Sequence, residues 1–192
     1  MQLYHVISDL FLAATGLFVF FKYLAKLELS HEILWESFVL SVTAAAIFGA
    51  INFMGYAEAN LISDFFQKIA TLTGAVGLAV ASFALIRGIE IPKLMAYIAL
   101  TIGFLLYVIA EIFKFKILEL YVPIISMLSV AVIALAGLFS GKTKSSIWLL
   151  IAVGCFGLGT YRNNIFGDSE TTIDIFHLLT AGGLFSIGKA NS

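Results

Sequence analysis

The chain has 192 residues, of which 61% are hydrophobic types and only 12% are charged, and its mean hydropathy is +1.04. An ordinary soluble domain carries about 25% charge, and a fold of this length leaves about 30% of its unfolded surface in water, so the composition excludes a cytosolic globular enzyme, a disordered chain and a disulfide scaffold. What remains is an integral membrane protein, and the net charge of −1 gives it no basic footprint for nucleic acid.

The first segment, Met1-Gln2-Leu3-Tyr4-His5, lacks the basic region of a cleaved signal peptide, so the apolar stretch after it is expected to be retained as a helix. A spanning helix needs about 20 mostly apolar residues. The run from Leu10 to Phe21 has only 12, between Asp9 and Lys22. To span, the first helix must start near Leu3 and take Asp9 inside. Five uncharged runs then qualify on length: Ser37 to Ala57, Ile69 to Ile86, Leu94 to Ala110, Leu120 to Gly141 and Ser145 to Tyr161. The last run, Ile175 to Gly188, has only 14 residues, so that helix must start near Thr171 and take Asp174 inside. The expectation is an all-α, polytopic membrane protein. It is a single domain over 1–192, a bundle of seven transmembrane helices near 4–24, 33–55, 63–87, 92–113, 118–139, 146–162 and 171–189.

The connections are short. Pro92 sits at a helix start, where its missing N–H costs nothing, and Pro123 falls early in the fifth helix, where it can tilt the chain. Cys155, alone in an apolar stretch, reads as a packing residue. Lys22, Lys26, Arg87, Lys93, Lys142, Lys144 and Lys189 fall on one side of the seven-helix arrangement, against Lys68, Lys114, Lys116 and Arg162 on the other. The excess of basic residues marks the cytoplasmic side. The expected location is therefore the cell (inner) membrane, multi-pass, with the N-terminus outside and the C-terminus cytoplasmic.

The polar residues sort unevenly in this topology. The outer side gathers Asp9, Glu58, Asp64, Glu111, Glu119, Asp168, Glu170 and Asp174, with His5, Ser8, Asn52, Gln67, Tyr161, Arg162, Asn163, Asn164, His177 and Thr180. His5 and Asp9 share one face of the first helix at a spacing of four, and Asp174 and His177 share one face of the last at a spacing of three. Acids inside a membrane cost a few kcal/mol each on insertion scales, so they face a bundle interior and mark function. An Asp beside a His orients its tautomer, as in a proton relay. Arg162, where the sixth helix closes, is placed to neutralise Asp174 or Asp9 or to hold a lipid phosphate. The ligand-binding candidates are His5, Asp9, Asn52, Arg162, Asp174 and His177.

Other residues have plainer readings. His31, Glu32 and Glu36 are expected on a wet interfacial face. Ala45 and Gly49, Gly74 and Gly77, Gly154, Gly157 and Gly159, and Gly182 and Gly183 read as notches for close helix packing. Tyr4, Trp35, Tyr121, Trp148 and Tyr161 are expected in an aromatic belt at the membrane boundaries.

Gly157-Leu158-Gly159-Thr160-Tyr161-Arg162-Asn163-Asn164, followed by Thr172-Ile173-Asp174-Ile175-Phe176-His177, resembles the closing motif of a family of bacterial seven-helix membrane proteins without an assigned activity. That family shares an Asp-x-x-His in the last helix and an acid in the first, here Asp9 of Ser8-Asp9-Leu10. A more distant similarity is to the alkaline ceramidase and adiponectin-receptor superfamily of seven-helix lipid hydrolases. That similarity implies zinc, with His5, Asp174 and His177 as weak metal ligands. The departures are plain: four residues after His177 stands Ala181, not a second histidine, and the second helix offers Asn52-Phe53-Met54-Gly55 where a histidine is wanted.

Three functions are therefore carried. The first is binding of a small polar ligand, a lipid headgroup or protons at an Asp/His/Arg cluster in the outer leaflet, with no cofactor. The second is a metal-dependent membrane lipid hydrolase. The third is a structural membrane subunit. The expected partners are the lipid bilayer and a small-molecule or lipid ligand.

Overall fold

A computed structural model describes residues 3–167 and 171–192. The described residues form helices and turns, without a strand. In chain order the helices are α1 (Leu3–Leu24), α2 (Leu29–Phe53), α3 (Ala59–Arg87), α4 (Lys93–Phe113), α5 (Lys116–Phe139), α6 (Thr143–Thr160), α7 (Arg162–Phe166) and α8 (Thr171–Ala190). The first six are long and apolar enough to cross a membrane. Helix α8 is 20 residues long but is not among them. Its polarity has a structural reason: Thr172, His177, Thr180 and Ser186 are all turned into the protein interior.

Helix boundaries follow local chemistry. Pro92 caps α4, its carbonyl accepting the N–H groups of Met95 and Ala96. Gly88, at φ 61°, lets α3 end in a left-handed turn. Pro123 lies inside α5, eight residues from Lys116 by inclusive count. The sixth long helix stops at Thr160, and residues 162–166 form a separate short helix where a continuation to 162 was expected. Single turns of π-helix occur at Phe20–Leu24 in α1 and at Ala70–Gly74 in α3.

Neighbouring helices close a ring, α1 to α2 to α3 to α5 to α6 to α8 and back to α1, and α4 joins it along α2 and α3. Close contacts are made at glycines. A Cβ on Gly16 would meet the Thr43 hydroxyl, and one on Gly188 would come 2.6 Å from the Tyr23 ring. Gly74 and Gly77 admit α3 against the backbone of Leu34, Ser37 and Phe38. Trp35 is fully buried in the core rather than set in a boundary belt. Gly154 and Gly157 of α6, by contrast, have nothing within 4 Å of a Cβ and form no internal notch. Tyr4, Tyr121 and Tyr161 are exposed, and Trp148 packs edge-on against Phe185.

Helices α1 and α8 run side by side in the same direction. His5 meets Asp174 near their first residues, and Tyr23 meets Gly188 near their last. At the far end the α5–α6 turn ties down the C-terminus: Ser145 Oγ donates to the Ala190 carbonyl at 2.7 Å and Lys144 Nζ to that of Ser192 at 2.7 Å.

Candidate functional site

Position dictates which side chains of α1 can meet α8. His5, Ser8, Leu12, Gly16 and Val19 recur every three or four residues, and all are buried. Residues at that spacing lie on one face of a helix, and in α1 this face carries His5, Ser8 and Asp9 near its start. On α8 the corresponding face carries Asp174, His177, Ala181 and Leu184, with Asp174 and His177 one turn apart.

The pairs form across the two helices, not along them. His5 Nδ1 lies 2.8 Å from Asp174 Oδ1. His177 Nε2 lies 3.3 Å from Asp9 Oδ1, an ion-pair contact and the longest link of the cluster. Ser8 sits between the two pairs. Its Oγ is 2.7 Å from Asp174 Oδ1, 2.9 Å from His177 Nδ1 and 3.1 Å from the carbonyl of His5. The order is therefore His5, Asp174, Ser8, His177, Asp9.

Asp174 is the most exposed member of the cluster. The Asp174 side chain is 22% exposed, whereas that of Asp9 is 4% exposed. Among the described residues Asp9 Oδ2 is buried without a hydrogen-bond partner, and it lies against α2, where a Cβ on Gly49 would stand 2.7 Å away. The His5 ring packs against Phe53, also from α2, with centroids 4.9 Å apart.

The hydrogen bonds constrain the protons. A serine hydroxyl has one hydrogen. When Ser8 donates to Asp174, His177 must donate from Nδ1 to Ser8. When Ser8 turns to donate to His177 Nδ1, the Nε2 nitrogen holds the ring hydrogen and faces Asp9. His5 carries its hydrogen on Nδ1 toward Asp174 in both arrangements; these tautomers are assigned from the network.

Among the described residues Arg162 makes no ion pair with Asp9 or Asp174. Its guanidinium carbon lies 4.5 Å from the centroid of the Phe176 ring, and Nη1 donates to the Gly159 carbonyl at 3.1 Å. Among the described residues the ion pairs of Asp9 and Asp174 are made with histidines, so neutralisation by Arg162 is not what is seen. The break at Tyr161 turns Arg162 onto the aromatic face. Asn52 is half-buried, and its neighbour Phe53 is the one that reaches His5. Asp168 and Glu170 lie outside the described residues.

Ser8 is the member that spacing arguments undervalue. Its signal in the sequence is its place, three residues after His5 and next to Asp9, on the face that an amphipathic reading turns inward.

No group of three His, Cys, Asp or Glu arranged to hold a metal ion occurs among the described residues. Both ring nitrogens of His177 face protein groups, Ser8 and Asp9. A second polar region lies on α3, where Lys68 pairs with Glu111 of α4. Beside it an open groove of about 290 Å³ is lined by Asp64, Gln67, Lys68, Thr71 and Glu119. No protein-family model, no curated protein and no solved structure matches the chain.

Proposed function

We propose that the protein is a seven-helix integral membrane protein that takes up protons at the α1–α8 cluster. The observation that carries this reading is the unbroken order His5, Asp174, Ser8, His177, Asp9, in which every neighbour lies within 3.3 Å. Such a series of donors and acceptors passes a proton by hydroxyl rotation and imidazole exchange. The parallel course of α1 and α8 supports α8 as the seventh span, because parallel first and last rods require an odd number of crossings. The basic-residue excess places their first residues on the outer face of the inner membrane. Helix α8 is too polar to span by composition alone, and its inward-facing Thr, His and Ser side chains remove that objection.

The test is an acid step applied to the purified protein in nanodiscs, with proton uptake read by a soluble pH dye. Uptake is expected in the wild type and in Asp64→Asn, whose carboxylate lies on the α3 groove, and is expected to be lost in Asp9→Asn. Equal uptake by wild type and Asp9→Asn would refute the reading. Stoichiometric zinc that disappears in His177→Ala would instead favour a metal-dependent hydrolase.

A further inference from the structure

Where a proton goes after it reaches Asp9 is decided by what surrounds that carboxyl. From α8 it faces His177, with Asp174 beyond Ser8, and from α1 it faces His5 one turn back. Arg162, at the start of α7, is a further cation that acts on His177 electrostatically. From α2 the contact is Gly49, which offers neither a donor side chain nor a charge. The second oxygen of Asp9 therefore ends the series: among the described residues Oδ2 is buried and has no hydrogen-bond partner.

Resting on the proton-uptake reading, we propose that the cluster is a single-ended proton well, filled and emptied through Asp174 and closed at Asp9 by Gly49, which registers the pH at the Asp174 end without carrying protons across. Filling proceeds by three coupled transfers. A proton that has arrived on Asp174 moves to Ser8 Oγ, the hydrogen of Ser8 moves to His177 Nδ1, and the Nε2 hydrogen of His177 moves to Asp9. Three O–H or N–H bonds form and three break, and the net change is one proton moved from Asp174 to Asp9. Emptying is the same sequence reversed.

Through-conduction would need one step more. Once Asp9 released its proton onward, His177 would be left with hydrogen on Nδ1 and none on Nε2. The ring would have to turn over before a second proton could follow. It is held at both nitrogens and its side chain is 11% exposed, so the turnover is blocked. Reversal through Ser8 needs no such rotation of the ring.

Two measurements on the full chain in proteoliposomes test this. Infrared difference spectra between acid and neutral buffer identify the protonated Asp9 carboxyl as the C=O band missing in Asp9→Asn. A pH dye trapped in the lumen reports flux under an imposed proton gradient. The expected result is an Asp9 band that responds to pH in the wild type, with no flux beyond that of empty vesicles. The band should be lost in Ser8→Ala and also in Asp174→Asn, which keeps the shape and a hydrogen-bonding oxygen at the entrance. Flux that Asp9→Asn abolishes would overturn the proposal by showing conduction. An Asp9 band unchanged in both Ser8→Ala and Asp174→Asn would overturn it by showing another entrance. Absence of any Asp9-dependent band in the wild type would instead defeat the uptake reading itself.

Discussion

Asp9 and Gly49 touch across the α1–α2 interface, with Asp9 Oδ2 lying where a side chain at position 49 would begin. The acid and the glycine are one packing unit. A small residue on α2 is what makes room for a carboxyl on α1.

Gly49→Ala should therefore destabilise the wild type, because its new carbon would stand 2.7 Å from Asp9 Oδ2. Overpacking of this kind costs about 1–3 kcal/mol. The same substitution should cost less in an Asp9→Ala background, where the carboxyl is gone. Thermal unfolding of the two single variants and the double variant, in one detergent, measures the coupling. Additive effects would show that the two residues do not share the space.

The crossed pairing makes a second prediction. Leaving one buried charge without its partner costs about 3–5 kcal/mol. His177→Ala should thus be strongly destabilising, and replacing Asp9 by Asn in the same chain should restore part of the loss. Asp174→Asn added to His177→Ala should restore less, because Asp174 keeps its own partner in His5. If pairing ran along α8 instead, the second combination would be the better rescue. Denaturant midpoints of the wild type and the three variants decide between the two patterns.

The Lys68–Glu111 pair between α3 and α4 should behave differently. Its side chains are 37% and 29% exposed, and Lys114 Nζ approaches the same carboxylate at 3.5 Å. Exposed pairs contribute about 0–1 kcal/mol and weaken with salt. Glu111→Gln should shift the melting temperature slightly at low ionic strength and not at all in high salt. A large shift that persists in high salt would contradict this.

The long helices were legible because uncharged runs alternate with short charged turns, and that pattern needs no tertiary information. Asp9 and Asp174 were also legible, as the two acids that the short terminal runs cannot avoid. Their partners were not. Spacing identifies neighbours along one helix, so it points to His5 with Asp9 and to Asp174 with His177. The rotation of α1 against α8 exchanges those partners, and it is set by contacts such as Gly188 with Tyr23, which no local pattern encodes. The same limit explains Trp35. Its position along α2 suggests a boundary, but packing between helices puts it in the buried core. Gly154 and Gly157 have the composition of a packing notch without a neighbour to fill it.

The bonds that join α1 to α8 link residues 169 positions apart, and this separation bears on how the protein is made. On the ribosome, His5, Ser8 and Asp9 are made long before the segment that pairs with them has been translated. Until then α1 lacks those partners and has α2 as its packed neighbour. A chain stalled before α8 leaves His5, Ser8 and Asp9 without the side chains that pair with them in the finished fold.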